Sequence, residues 1–134
     1  MFEAKILNGY RTVALVGLSL DPSRPSHRVA SYLAQHGYRV IPVNPHAREI
    51  LGKPSYPDLS SIPEVVEVVD IFRRSEEVMP VVDEAIKIGA KAVWMQEGVI
   101  NEEAASKARG AGLLVVMNKC MYKEHRRLSE ELGS

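Results

Sequence analysis

Cysteine, net charge and long apolar runs are all scarce in this sequence. Only Cys120 is a cysteine, which excludes an intrachain disulfide and favours a reducing compartment. Seventeen basic and 17 acidic side chains cancel, so the chain lacks the broad positive field of a general nucleic-acid binder. No segment approaches the ~18 apolar residues of a membrane-spanning helix, and no apolar leader segment is visible. We therefore expect a cytoplasmic protein that binds neither nucleic acid nor a membrane.

The glycine-rich signature of many dinucleotide sites is also missing. The apolar run VALVG ends at Gly17, but Ser19 and Pro22 stand where G-x-G-x-x-G places its second and third glycines. The loop instead carries hydroxyls and arginines, including Arg28, and leads into a helix whose first N–H groups suit phosphate. Two interpretations stay open: a phosphate-binding loop, or a solvated proline-rich turn capped by Ser26.

Short apolar runs alternate with amphipathic stretches along the whole chain. Runs rich in Val and Ile and apolar on both faces are typical of buried parallel strands. The predicted strands are 12–17, 38–43, 67–72, 91–96 and 113–117. The predicted helices are 26–36, 76–88, 101–110 and a last one near 121–132.

This alternation predicts one α/β domain of the Rossmann type over residues 1–134. We expect a doubly wound, five-stranded parallel sheet with helices on both faces. With strands numbered along the chain, the expected order is 3-2-1-4-5. The segment 47–63 contains three prolines and a glycine and is predicted to be a loop.

Ligands of doubly wound sheets bind beyond the carboxyl ends of the strands. After the second strand there is no acid until Glu49 to accept from the ribose of NAD. Asn44, His46 and Arg48 instead suit a ribose that bears a phosphate, as in NADP or coenzyme A. Arg73 and Arg74 follow the third strand and are either ligands for adenine or phosphate, or a solvated surface pair. The fourth strand ends, opposite the first loop, in Gln96, Glu97 and Gly98.

Residues typical of catalysis are few. The four histidines lack metal-ligand spacing, so no metal site is predicted. Glu97 is the one candidate general base at the strand ends, and without a partner acid, nucleophile or redox group we assign it no catalytic role. Cys120 follows a lysine, which can activate a thiol, but a lone cysteine just past a buried strand is more often a packed residue. The residues favour a binding domain over an enzyme without deciding between them.

Six segments that follow one another along the chain form a specific ordered set: VALVGLS, HGYRVIPVNP, LGKPSYPDL, DIFRR, VWMQEGVINEEA and VVMNKC. This set resembles the stand-alone CoA-binding proteins of bacteria and archaea over residues 10–125. More remotely, it is similar to the CoA-binding domain of the succinyl-CoA synthetase α subunit. The resemblance implies a Rossmann-type domain that holds CoA at the strand ends.

The resemblance also implies which residues contact CoA. The synthetase's phosphate loop corresponds to Gly17-Leu18-Ser19, and its contact segment after the fourth strand corresponds to Met95-Gln96-Glu97. Its loop with a CoA-contacting lysine falls near Asn44-Pro45-His46, where this sequence has no lysine, and Arg48 is the expected substitute. A cysteine occurs in the ligase domain at the place of Cys120. No histidine lies in a segment matching the phosphohistidine loop, which implies CoA binding without ligase chemistry.

We therefore predict non-covalent binding of coenzyme A or an acyl-CoA, and leave open a homo-oligomer or an unidentified protein partner. The alternatives are an NADP-binding small oxidoreductase and a CoA-sensing regulatory or interaction domain. The first loop is expected to hold the pyrophosphate, the second strand's end the ribose and 3′-phosphate, the arginine pair the adenine or a phosphate, and the fourth strand's end the pantetheine. The predicted binding residues are Gly17, Leu18, Ser19, Ser26, Arg28, Asn44, Pro45, Arg48, Arg73, Arg74, Met95, Gln96, Glu97 and Gly98.

Overall fold

A computed structural model of the protein describes residues 2–133, so the two end residues of the predicted domain lie outside it. The strands are β1 (Thr12–Val16), β2 (Arg39–Val43), β3 (Glu49–Ile50), β4 (Lys53–Pro54), β5 (Val68–Ile71), β6 (Ala92–Met95) and β7 (Leu114–Val116). The helices are α1 (Glu3–Gly9), α2 (Pro25–Gln35), α3 (Val78–Lys87), α4 (Glu102–Gly110) and α5 (Met121–Gly133), with short 3₁₀ turns at Leu59–Ser61 and Ser75–Glu77.

A five-stranded parallel sheet forms the centre of the molecule, in the order β2-β1-β5-β6-β7. Strands β5 and β6 are buried along their whole length, as expected of strands covered on both faces. Helices α1, α2 and α5 pack on one face through residues such as Leu7, Leu33 and Met121. Helices α3 and α4 cover the other face through Val82 and Ala105. The predicted fold class, a Rossmann-type α/β sheet with helices on both faces, is confirmed.

The predicted position of one strand is wrong. We expected the strand at 67–72 at the sheet edge beyond β2, but β5 pairs with β1 on its other side, and β6 follows it. The proline-rich segment between β2 and β5 forms only the two-residue hairpin β3–β4 and a single parallel bridge between Val43 and Tyr56. Because this segment occupies the edge beside β2, the next full strand crosses to the far side of β1.

The predicted helices differ from the observed ones mainly at their ends. Helix α3 begins at Val78 because the preceding residues form a 3₁₀ turn. Helix α1 was not predicted from the sequence. Its Glu3 carboxylate lies 2.5 Å from the Lys119 ammonium, and the Tyr38 hydroxyl donates to the Leu7 carbonyl at 2.6 Å. Tertiary contacts therefore fix a helix of seven residues that would be marginal alone. Within the described residues, no helix is both long and apolar enough to cross a membrane.

Candidate functional site

The sheet changes winding direction between β1 and β5. The chain leaving β1 enters α2, whose Val29 and Leu33 pack on one face, and the chain leaving β5 enters α3, whose Val78 and Val82 pack on the other. Two adjacent parallel strands whose connections leave to opposite faces open a crevice beyond their carboxyl ends. Gly17 lies at this point with φ of +90°.

A cleft of about 570 Å³ occupies this crevice. Its walls come from the segments after four strands and from the start of α2, and consist of Gly17, Ser19, Arg24, Pro25, Ser26, Phe72, Arg73, Arg74, Gln96, Glu97, Val99 and Cys120. A side chamber of about 200 Å³ is lined by Gly17, Leu18, Ser19, Asn44, Pro45, His46 and Arg73. The two cavities share Gly17, Ser19 and Arg73, so they are adjoining parts of one site.

Ten of the 14 predicted binding residues line the cleft or the side chamber: Gly17, Leu18, Ser19, Ser26, Asn44, Pro45, Arg73, Arg74, Gln96 and Glu97. Four residues line neither cavity. Arg28 and Arg48 are exposed, Met95 is fully buried in the core, and the Gly98 N–H donates to Asn118 Oδ1 at 2.7 Å.

The two adjacent arginines after β5 have different surroundings. Arg74 is exposed and pairs with Glu77 at 3.0 Å, an interaction that raises the pKa of Arg74. Arg73 is half-buried, and its guanidinium makes no hydrogen bond or ion pair with any residue from 2 to 133. Its charge makes a smaller contribution than that of Arg74 to the lowered pKa of Glu77. Arg73 is therefore the arginine of this pair that is available to an anion, and it stands where the cleft meets the side chamber.

Hydrogen bonds from the backbone to two serine hydroxyls hold the conformation of the first loop, which follows β1. The buried Ser26 hydroxyl accepts from the Ser19 N–H at 3.0 Å, and the Ser19 hydroxyl accepts from the Asp21 N–H at 3.0 Å. Ser26 does not cap α2 as the sequence suggested, because the N-cap is Arg24 and Pro25 takes the first helical position. The start of α2 still lines the cleft, and its positive dipole end suits an anion there.

The side chain of Asn44 connects the end of β2 to the first loop by a hydrogen bond. Its Nδ2 donates to the Leu18 carbonyl at 2.9 Å, and its Oδ1 accepts from the His46 N–H at 2.7 Å. Both ends of the amide are thus used within the protein, which sequence reasoning did not anticipate. The polar side chains left to face the side chamber include those of His46 and Arg73.

Gln96 connects the cleft to α5. Its side chain is almost wholly buried, and its Oε1 accepts from the Met121 N–H at the start of α5, at 3.1 Å. Because the Met121 N–H is a donor, the amide atom that it contacts must be the oxygen of Gln96, and this fixes the position of the Gln96 NH₂ group. The neighbouring Glu97 is exposed and pairs with Lys123 at 2.9 Å.

Sequence reasoning left five cleft residues out of the predicted set: Arg24, Pro25, Phe72, Val99 and Cys120. It also left out His46, which lines the side chamber. His46 was considered for a phosphorylated ribose but was not kept in the predicted set. Arg24 adjoins predicted residues and carries a polar group, so position alone could have added it. Phe72 and Val99 have no such signal, because an apolar residue at the end of a strand is normally predicted to lie in the hydrophobic core.

A buried carboxyl lies in the sheet below the cleft. Asp70 of β5 is flanked by Leu15 and Trp94 on the neighbouring strands and is fully buried. Among the described residues neither of its oxygens has a hydrogen-bond partner, and burial raises the pKa of Asp70 well above its usual range. No cluster of three or more potential metal ligands occurs within residues 2–133.

A doubly wound parallel sheet with an arginine-bearing cleft at its switch point defines a Rossmann-type ligand-binding domain. The comparison with protein families identifies which kind. A model of the CoA binding domain family matches residues 11–126, and the chain belongs to that family.

Individual relatives are similar to most of this chain. The chain is 37% identical to the uncharacterized protein YneT of Bacillus subtilis over 121 residues, which are 90% of each chain. A solved structure of a hypothetical protein from Pyrococcus horikoshii OT3 is 48% identical, with a TM-score of 0.91 over 94% of this chain and 89% of that one. The ADP-forming acetate–CoA ligase II of Archaeoglobus fulgidus is 29% identical over 100 residues, 73% of this chain but only 15% of the ligase.

Proposed function

We propose that the protein binds coenzyme A or an acyl-CoA non-covalently in the cleft, with the ligand's phosphates near Arg73. The observation that carries this proposal is the half-buried Arg73 guanidinium, which has no hydrogen-bond or ion-pair partner in the described part of the chain and lies at the junction of the two cavities. A guanidinium in such a place is suited to bidentate contact with a phosphate.

Other groups around Arg73 support an anionic ligand. Arg24 and Arg74 line the same cleft, and the N-terminus of α2 opens into it. Backbone N–H groups at a helix start, together with the helix dipole, favour phosphate. The chain as a whole carries no net charge, so this local concentration of positive groups reflects the site and not the general composition.

The length of the site suits an extended ligand. Its walls come from the ends of β2, β1, β5, β6 and β7 in turn, and five neighbouring strand ends span ~19 Å at about 4.8 Å per strand. The positive groups lie toward β2, β1 and β5. On the β6 and β7 side Gln96, Val99 and Cys120 are uncharged, and the charge of Glu97 is paired with Lys123. CoA has the same polarity, because its phosphates stand at one end and its neutral pantetheine arm at the other.

The side chamber favours a ribose that carries a phosphate. Residues 44–48 include no carboxylate that could accept from free ribose hydroxyls, and His46 and Arg73 face the chamber. NADP shares this feature with CoA, so an NADP-binding protein is the alternative that the chamber supports. The matched part of the ligase relative is 15% of its length, and we propose binding of CoA here without ligase chemistry.

Calorimetric titration of the full chain with CoA tests the proposal, with dephospho-CoA and NADP as comparators. We expect saturable CoA binding that weakens without the 3′-phosphate. In Arg73→Ala the affinity should fall on the order of 10- to 100-fold, the equivalent of about 1.5–3 kcal/mol for a charge-assisted contact. Arg109→Ala is the matched control, because Arg109 is exposed near the end of α4 and lines neither cavity.

Equal CoA affinity in the wild type and Arg73→Ala would overturn the placement of the phosphates. Tight NADP binding without CoA binding would replace the proposal by the alternative. Size-exclusion chromatography with and without CoA addresses regulation, because a CoA-dependent change in oligomeric state is the result expected of a CoA-sensing domain.

A further inference from the structure

Cys120 lies in the wall of the cleft at the β7 end of the site. The sequence favoured a packed residue, and the Cys120 side chain does pack against the core, but it is only partly buried. It immediately precedes α5, and its carbonyl accepts from the Glu124 N–H at 2.9 Å in the first turn of that helix. No other cysteine exists in the chain, so any thiol chemistry of this protein occurs at Cys120.

The neighbouring Gln96 independently indicates a ligand at this end of the cleft. Gln96 is 4% exposed, and its Oε1 is held by the N–H of Met121, the residue after Cys120. The opposite end of the amide, the NH₂, has no hydrogen-bond partner between residues 2 and 133, although the side chain lines the cleft. The side chain is almost wholly buried and oriented by Met121, so its unpaired NH₂ is a fixed donor available to an acceptor of a molecule in the cleft.

The order of groups along the site matches one ligand in particular. Arg73 adjoins the side chamber near β1 and β2, and Cys120 follows β7 at the other end of the sheet. From phosphate to thiol, CoA runs through a pantetheine arm whose amide carbonyls are acceptors for a donor such as the Gln96 NH₂. A CoA molecule with its phosphates at Arg73 therefore directs its sulfur toward Cys120.

We propose that Cys120 is a site of mixed-disulfide formation with CoA, an inference that rests on the proposed function. The Cys120 sulfur, after losing its proton, attacks one sulfur of a CoA disulfide; the new bond joins Cys120 to one CoA, and the original S–S bond breaks. The second CoA leaves as a thiolate and takes up a proton. Cys120 is oxidised and the departing CoA is reduced, so the CoA disulfide is itself the oxidant. A low-molecular-weight thiol reverses the reaction by the same exchange.

Intact-mass spectrometry of the reduced full chain with CoA disulfide tests this inference. The expected adduct raises the mass of the reduced chain by one CoA less two hydrogens, is lost on treatment with dithiothreitol and does not form in Cys120→Ser. It should form at least ~10-fold faster than the adduct from glutathione disulfide, because the cleft concentrates only the CoA compound next to the thiol.

A pair of arginine variants separates a directed reaction from ordinary thiol reactivity. Arg73→Ala should slow the reaction with CoA disulfide about 10-fold and leave the glutathione reaction unchanged, whereas Arg109→Ala, on the exposed end of α4, should alter neither. Equal rates for the two disulfides in the wild type, or no adduct at all, would overturn the inference.

Calorimetry with Cys120→Ser distinguishes this failure from failure of the proposed function. The variant should bind reduced CoA within about 3-fold of the wild type, because the phosphates are held elsewhere. CoA binding by both proteins without a preferred CoA adduct would overturn the disulfide inference alone. Absence of CoA binding in both would overturn the proposed function and, with it, this inference.

Discussion

The α-carbon of Gly17 faces the backbone carbonyl of Phe72 so closely that a β-carbon on Gly17 would overlap the carbonyl oxygen. The two residues directly follow the neighbouring strands β1 and β5, and the Phe72 N–H donates to the Val16 carbonyl at 2.9 Å. Gly17 also has φ of +90°. This contact draws the first loop and the arginine-bearing loop together, and both cavities have Gly17 in their walls.

We expect Gly17→Ala to destabilise the protein by about 2–4 kcal/mol. The positive φ costs about 1 kcal/mol with alanine, and the overlap with backbone adds to it because the Phe72 carbonyl is held by the sheet. Gly37→Ala is the matched control, since Gly37 has φ of +89° and no atom within 4 Å of an added β-carbon. Urea denaturation should show a larger loss for Gly17→Ala, and equal losses in the two variants would contradict the role of the contact.

Asn44→Asp should reduce the protein's preference for a phosphorylated ribose. The aspartate keeps the acceptor for the His46 N–H but loses the donor to the Leu18 carbonyl, and it adds negative charge beside Arg73 in the side chamber. The affinity for CoA should fall roughly 10-fold and that for dephospho-CoA should fall less, because only CoA brings the 3′-phosphate. Asn8→Asp makes the same charge change at an exposed position of α1 and is the control. Calorimetry that finds equal losses for both ligands would contradict this account.

The sequence predicted the elements well and their neighbours less well. A strand such as Ala92–Met95 can be predicted because its apolar pattern lies within a few consecutive residues. The side of β1 on which β5 pairs depends instead on how the segment 47–63 occupies the sheet edge, which no local pattern records. That placement carries Phe72 and Arg73 into the cleft beside Gly17 and explains why a site could be predicted at the strand ends without its correct arrangement.

Within the site, the sequence could identify polar residues but not how their hydrogen bonds are used. Asn44 was expected to contact the ribose, yet both ends of its amide bind backbone groups. Ser26 was expected to cap α2, yet its hydroxyl binds the Ser19 N–H. Arg48 was expected to replace a lysine, yet it is exposed and lines neither cavity. In each case the contacts of the side chain depend on groups distant in the chain or on the local path of the backbone.

Asp70→Asn should make the stability of the protein less dependent on pH. Burial raises the folded-state pKa of Asp70 well above its usual 3.8, so the folded state holds this proton more tightly than the unfolded state. Stability is therefore lost as the pH rises from 3.8 through the raised value. The variant has no such proton and should gain stability relative to the wild type over that range. Denaturant titrations from pH 4 to pH 8 measure the difference, and a constant difference across the range would contradict an ionising Asp70.

Glu3→Gln should weaken the anchoring of α1 at neutral pH and have little effect in strong acid. Burial alone would raise the pKa of Glu3, but the hydrogen bond and charge of Lys119 at 2.5 Å lower the pKa from 4.5 to about 2. The ion pair therefore stabilises the fold above pH 4.5, and this contribution is lost as the pH falls toward 2. We expect a loss of about 1–3 kcal/mol at pH 7, reduced because Lys119 is half exposed.

The surface pair of Arg39 and Glu64 provides the comparison for this last prediction. Its two side chains also approach to 2.5 Å, but the arginine is 59% exposed and the carboxylate 33% exposed. Glu64→Gln should therefore cost less than about 1 kcal/mol at pH 7, because water and salt screen the charges. If denaturation shows equal losses for Glu3→Gln and Glu64→Gln, burial is not what makes the α1 contact strong. A larger loss for Glu3→Gln that disappears near pH 2 would establish Glu3 and Lys119 as the attachment of α1 to the loop that precedes Cys120.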